Sequence, residues 1–220
     1  MSRWGAIIWR DLRIAWAGGG VLLPLIFFLL VATLFPFAVG PDGPLLAKVG
    51  GGALWMAALL AALLPVDRLI APDAESGVLD QYVVRGFSDE GIATAKIVAH
   101  WLGFGPPLLL AMIPAAALLR LDGDTLLHLA LGLAIGTPAL AALGVMTSAL
   151  TQGLRGAGAL AGLVMLPLAV PLLIFGAGSL GDHGQGGQGL GAIKLLAATA
   201  LLITAIAPFA AGAALRAQRD

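Results

Sequence analysis

Six long apolar runs without a charged side chain alternate with short polar segments along this chain. An uncharged apolar run of 18 or more residues is typical of a helix that crosses a bilayer. The pattern therefore predicts an all-α polytopic membrane protein, with residues 1–220 forming one transmembrane domain. The six predicted spans are residues 14–41, 49–66, 97–119, 125–154, 156–181 and 195–215.

The only long polar stretch is the segment 67–98, between the second and third spans. A bilayer core does not solvate such a group of charges, so this segment is expected outside the membrane. Its position between two spans suggests a surface that meets a soluble partner. Its charged residues are Asp67, Arg68, Asp73, Glu75, Asp80, Arg85, Asp89, Glu90 and Lys96.

Residues 2–17 have the pattern of an amphipathic helix that lies in the membrane interface. At 100° per residue, Trp4 falls on an apolar arc, whereas Arg10 and Arg13 fall on the opposite one. Tryptophan and arginine both suit the headgroup region. Asp11 falls inside the apolar arc. Two partners remain open for it, a residue of another protein chain or a neighbouring arginine.

Composition supports the membrane class and orients the chain. The sequence is 60% hydrophobic and only 11% charged, which leaves too little polar surface for a soluble domain. With the N-terminus inside, the inner segments carry nine Lys and Arg side chains and the outer ones carry three, namely Lys48, Arg120 and Lys194. The positive-inside rule therefore predicts an N-in/C-in topology, with segment 67–98 in the cytoplasm.

Several classes of chemistry have no motif here. The chain has no cysteine, so it has no disulfide and no thiolate metal site. A Gly-rich loop that ends in Gly-Lys-Ser/Thr is absent, so any ATP is expected on another subunit. No carboxylate lies in the middle of a predicted span, which argues against an ion-coupled carrier. The histidines His100, His128 and His183 are interpreted as polar anchors.

Within the polar segment, residues 73–85 predict one short amphipathic helix. Val78, Leu79, Tyr82 and Val83 fall on one face, and Asp80 projects elsewhere. Two interpretations remain open. The helix lies on the membrane surface with a solvated charged face, or it docks as a coupling helix in a groove of an ATPase.

Two glycine pairs at i, i+4 predict close helix packing. They are Gly132/Gly136 in the fourth span and Gly158/Gly162 in the fifth. Small residues at this spacing let helix backbones approach closely in lipid. Packing within the chain and a homodimer interface are both compatible with the pattern.

Five stretches, in order along the chain, carry a resemblance to a known family. The chain resembles the ABC-2 type exporter permeases and, more narrowly, the CcmB family, the haem exporter permeases of the bacterial cytochrome c maturation system. The stretches are LFPFAVGP (34–41), APDAESGVLD (71–80), AKIVAHWL (95–102), GTPAL (136–140) and LPLAVPLLIFG (166–176).

The resemblance implies a non-catalytic, multi-pass subunit of the bacterial inner membrane that acts as a dimer. Its implied partners are a cytoplasmic ATPase that binds ATP, a haem-handling membrane subunit and a small one-helix subunit. Haem is the implied substrate, delivered to a periplasmic chaperone, and no cofactor is expected on this chain. The resemblance assigns the docking role to Glu75, Gly77, Leu79 and Asp80, within a coupling helix that also holds Asp73, Tyr82 and Arg85.

Two other functions are compatible with the same pattern. One is an ABC-2 permease for a lipid, a polysaccharide or a drug. The other is a membrane scaffold that assembles a haem-handling complex without translocating a substrate.

Overall fold

The structure, a computed structural model, describes residues 3–180 and 188–219, and the regular structure in these residues is helical. His183 and most of the predicted outer loop 179–191 lie outside the described residues. The helices are α1 (Arg3–Ala17), α2 (Leu22–Val39), α3 (Gly43–Leu63), α4 (Ala71–Glu75), α5 (Val78–Val84), α6 (Asp89–Leu118), α7 (Gly123–Thr151), α8 (Ala157–Gly178) and α9 (Gln188–Ala217). A 3₁₀ turn, Val66–Arg68, lies between α3 and α4.

The prediction of six spans is confirmed. Six helices, formed around α2, α3, α6, α7, α8 and α9, are long and apolar enough to cross a membrane. Their ends follow local signals. Asp42, Ser88 and Asp122 precede α3, α6 and α7, and each side chain accepts a hydrogen bond from a backbone N–H of the first turn.

The predicted first span, 14–41, is divided in the structure. Its first residues belong to α1, which ends at Ala17, and α2 begins at Leu22. Between them the chain turns at Gly18 to Gly20, and Gly19 has a φ of +70°, which a residue without a Cβ adopts at little cost. The turn leaves α1 as a separate helix that packs against α6.

The core of the bundle forms around α7, which packs against α3, α6, α8 and α9. Trp55 of α3 is fully buried at its centre. Its indole lies against Gly132 and Gly136 of α7 and Gly176 of α8, at distances that would make a Cβ at any of the three collide with it or crowd it. The Gly132/Gly136 pair therefore receives a side chain of the same chain, which confirms packing within the chain for that pair.

A Gly176→Ala substitution is expected to destabilise the bundle because the new Cβ collides with the buried Trp55 ring. We expect a loss of about 1–3 kcal/mol, the usual cost of overpacking a tight core. Gly162→Ala is the matched control, since it lies in the same helix with nothing within 4 Å of the added Cβ. Thermal unfolding of both variants in detergent compares them. An equal midpoint for the two would contradict this account of the Trp55 contacts.

Candidate functional site

Charged side chains of α1, α4, α6 and α9 converge at one end of the bundle. We call this region the charged end. It contains the polar segment 67–98 and both described chain ends. All ion pairs of the described residues lie at this end of the bundle.

Lys96 is the most buried member of an ion-pair network at the charged end. It lies in α6, and its side chain is only 4% exposed. Its Nζ donates to the Asp73 carboxylate at 2.5 Å, to the Asp11 carboxylate at 3.1 Å and to the Leu69 carbonyl at 3.3 Å. A buried ammonium group is stable only when its donors are satisfied in this way.

Arg10 completes the network from α1. Its two terminal nitrogens donate to the two carboxylate oxygens of Asp73 at 2.6 and 2.9 Å, and one of them also donates to Asp11 at 2.7 Å. The hydrogen bond to the Asp73 carboxylate raises the pKa of Arg10 above its usual range. We call these four residues, Arg10, Asp11, Asp73 and Lys96, the Lys96 network.

The Lys96 network joins three elements that are distant in the sequence. Two positive and two negative groups balance, so the cluster is electrically neutral. Asp73 is the hub, since both of its oxygens are bound, one by Arg10 alone and one by Arg10 and Lys96. Displacement of α4 is therefore opposed by charge-assisted hydrogen bonds to α1 and α6.

A second cluster fastens the start of α6 to the end of α9. Arg219 pairs with Asp89, and Arg216 pairs with Glu90. The helices approach closely here, since a Cβ added at Gly212 would lie 2.8 Å from the Glu90 nitrogen. The C-terminal residues are thus part of the charged end.

The predicted single helix 73–85 is wrong, because the segment forms two short helices with a corner between them. Helix α4 ends at Glu75, and α5 begins at Val78. Gly77 has a φ of +70° at the corner, a conformation that glycine adopts without strain. Hydrophobic periodicity does not reveal such a corner, because it depends on the spacing of apolar residues and not on the backbone φ of one residue.

The corner leaves some of the predicted docking residues buried and others exposed. Asp73 and Leu79 are buried, and Leu79 packs in an apolar cluster with Ile70 and Ile92, so the structure gives both side chains contacts within the chain. Tyr82 is half-buried with its ring centroid 5.9 Å from that of Phe87, and burial raises the pKa of its hydroxyl. The residues left exposed are Glu75, Asp80 and Arg85.

The exposed acidic groups border a groove of about 360 Å³. Glu75 and Asp80 line it together with Gln152, Gly153 and Arg219. Within the described part of the chain neither Glu75 nor Asp80 has an ion-pair partner. The groove therefore offers two uncompensated negative charges.

Polar side chains of helix α1 contact the rest of the bundle. Arg10, predicted on the headgroup side, points towards Asp73, whereas Arg13 is exposed. Trp4 contacts the chain itself, because its ring meets Phe87 edge to face at 4.9 Å and covers Gly91. Of the two pairings open for Asp11, the neighbouring Arg10 is confirmed, and Lys96 is a second partner.

Comparison with known proteins gives a match along nearly the whole chain. The family model described as "CcmB protein" matches residues 2–218. The chain belongs to the CcmB family. It is 47% identical over 212 residues to "Heme exporter protein B" of Paracoccus denitrificans, covering 96% of this chain and 97% of that protein. It is 46% identical over 215 residues to the protein of the same name from Rhodobacter capsulatus, with 96% and 97% covered. For Escherichia coli K12 the identity is 38% over 215 residues, with 96% and 98% covered.

The resemblance to CcmB noted in the sequence is thus confirmed over almost its full length. In this CcmB chain, sequence reasoning did not single out Lys96, Asp89, Arg216 or Arg219 as functional residues. One signal for Lys96 was available, since it is a single cation followed by the uncharged run of the third span. A lysine at the entrance of a span needs an anionic partner unless it extends to water.

Proposed function

We propose that this chain is the permease subunit of an ATP-driven haem exporter that serves cytochrome c maturation in the bacterial inner membrane. Membership of the CcmB family and the names of its relatives support haem as the substrate. The observation that carries the proposal is the linkage of the exposed α4–α5 corner to two other helices through Asp73. A separate ATPase subunit hydrolyses ATP, and this chain converts the released energy into motion of its helices.

The corner is the surface proposed to receive the ATPase. Glu75, Asp80 and Arg85 are exposed, and beside them Val84 is 88% exposed. An exposed apolar side chain next to unpaired charges is the usual composition of a docking surface, with apolar contact for affinity and charge for orientation. The two carboxylates predict a basic rim on the partner's groove.

Force on the corner has a defined route into the membrane. When the ATPase subunits close, they displace α4 and α5 against the bundle. Asp73 passes that displacement to α6 through Lys96 and to α1 through Arg10. Because α6 runs as one helix from Asp89 to Leu118, although three prolines interrupt its hydrogen bonding, motion at its charged end is passed into the third span.

The topology and the other partners complete the proposal. The positive-inside rule supports a cytoplasmic charged end, where an ATPase is available. A haem-handling membrane subunit, a one-helix subunit and a second copy of this chain are the further proposed members of the complex. The product of the cycle is haem available to a periplasmic chaperone.

Charge reversal of the corner tests the docking step. We expect the double substitution Glu75→Arg and Asp80→Arg to abolish co-purification of the ATPase, because four units of charge change on a surface matched to a basic groove. Asp124→Arg is the matched control, since it is an exposed carboxylate near the start of α7, away from the charged end. Pull-down from detergent-solubilised membranes provides the readout, with membrane abundance of each variant measured alongside.

Retention of the ATPase by the double variant would refute docking through this corner. Normal cytochrome c production in the absence of ATPase binding would refute ATP coupling itself.

A further inference from the structure

A cavity of about 260 Å³ lies between α1, the start of α2 and α6. We call it the α1–α6 cavity. Its inner wall is apolar and consists of buried residues, including Val21, Pro24, Gly103 and Phe104. Ile14 and Arg68 also line it and are exposed, so one side of the cavity meets the surroundings of the protein.

The polar side of the cavity carries one excess positive charge. Its lining includes three cations, Arg10, Arg68 and Lys96, and two carboxylates, Asp11 and Asp73. Four of these five groups neutralise one another in the Lys96 network. Arg68 remains, exposed and without an ion pair in the described part of the chain. A ligand with one negative charge would match this arrangement.

His100 adds a polar group to the apolar wall. Its ring stacks on Phe104 with the centroids 5.9 Å apart, and it lines the cavity. Its Nε2 atom is buried and has no hydrogen-bond partner among the residues that the structure describes. Buried polar atoms are rarely left unpaired in proteins. A wall of this kind suits an amphiphile better than a pure hydrocarbon.

The surroundings and the size of the cavity indicate which amphiphile. On α1, the exposed Trp9 and Trp16 are side chains typical of the headgroup level of a bilayer. A ligand can therefore enter from the lipid with its charged end at the surface. The cavity of about 260 Å³ has room for part of one hydrocarbon chain.

We propose that the α1–α6 cavity binds one anionic phospholipid. Its phosphodiester pairs with Arg68, and the upper part of one acyl chain lies along Pro24 and Phe104. The lipid fills the space between α1 and α6 beside the Lys96 network, so it supports the same helices that the network connects. The site borders residues of the proposed coupling route, but the lipid proposal does not depend on ATP coupling.

Native mass spectrometry of the full-length chain, purified with the subunits that accompany it and delipidated in neutral detergent, tests the proposal. Dioleoyl-phosphatidylglycerol is expected to bind once with higher affinity than dioleoyl-phosphatidylcholine. Arg68→Gln is expected to weaken that binding about fivefold, the effect of one cation on an anionic headgroup. Arg13→Gln removes an exposed arginine outside the cavity and is expected to leave binding unchanged.

A second variant separates the acyl chain from the headgroup. Ala99 is a buried lining residue, and Ala99→Leu places three more carbons in the cavity, so the specific lipid should be lost although Arg68 remains. Equal affinities for the two lipids, or equal losses in Arg68→Gln and Arg13→Gln, would overturn the proposal. Binding of glycerol phosphate as tight as that of the lipid would assign a phosphate site, and one-for-one displacement of the lipid by haem would assign a haem site.

Discussion

Lys96→Met is expected to destabilise the protein by about 3–5 kcal/mol, the usual cost of removing one partner from a buried ion pair. The variant leaves Asp11 and Asp73 with only Arg10 between them, and Asp73 is buried. Two carboxylates then share one positive charge, and the excess negative charge at this largely buried site loses solvation without compensation. The thermal unfolding midpoint in detergent should fall by more than about 6 °C.

Two comparisons make this prediction specific. Lys48→Met is the matched control, because Lys48 is exposed in α3 and has no ion pair in the described residues, so its midpoint should change little. Adding Asp11→Asn to Lys96→Met restores neutrality and leaves the Arg10–Asp73 pair intact. We expect this double variant to regain part of the lost stability. Equal midpoints for Lys96→Met and Lys48→Met would show that the network contributes no stability.

Asp73→Asn is expected to uncouple the ATPase from the membrane helices without releasing it. The asparagine keeps the size of the side chain but removes the charge that binds Lys96 and Arg10. Hydrogen bonds to charged groups contribute about 1.5–3 kcal/mol each, so losing one such link should weaken the α4–α6 connection roughly 10–100-fold and lower cytochrome c production. Glu75 and Asp80 are unchanged, so the ATPase should still co-purify.

The control for uncoupling is Asp67→Asn, since Asp67 is exposed a few residues upstream and has no ion pair within the described chain. Cytochrome c production and ATPase co-purification are measured in the same membranes, together with the abundance of each variant. Normal cytochrome c production by Asp73→Asn would rule out Asp73 as the link. Loss of the ATPase from that variant would instead make Asp73 a docking residue.

The charge reversal of Glu75 and Asp80 and the Asp73→Asn substitution test two different roles of neighbouring acidic residues. Glu75 and Asp80 are exposed, so changing them acts on binding of the partner. Asp73 is buried and bound on both oxygens, so changing it acts on the connection between α4 and the spans. A scaffold that only assembles a complex would need the first group and tolerate loss of the second.

The six spans were predictable because bilayer crossing depends on local composition. A run of about 20 apolar residues without charges indicates a membrane-spanning helix, whatever that helix packs against. The start of α6 was also predictable, because Ser88 acts on a backbone N–H three residues away. Family membership was likewise available from the sequence, since it rests on residues in order along the chain.

The α4–α5 corner and the orientation of α1 depended on tertiary structure. Sequence periodicity indicates which residues share a helix face but not which neighbour that face meets. The pattern of α1 predicts Arg10 among lipid headgroups. In the structure, the packing of α1 against α6 brings Arg10 to Asp73, 63 residues further along the chain. Gly77 interrupts a helical pattern that the hydrophobic positions alone continue through.

Hydropathy and residue order are properties of the chain alone, and they suffice to identify a six-span membrane protein of the CcmB family with one polar segment. Tertiary structure decided which charges neutralise one another. Lys96 meets Asp11 across 85 residues, and Arg219 meets Asp89 across 130. Such pairs form only when packed helices bring distant residues together. They are then retained, because leaving a buried charge without a partner has a high free-energy cost.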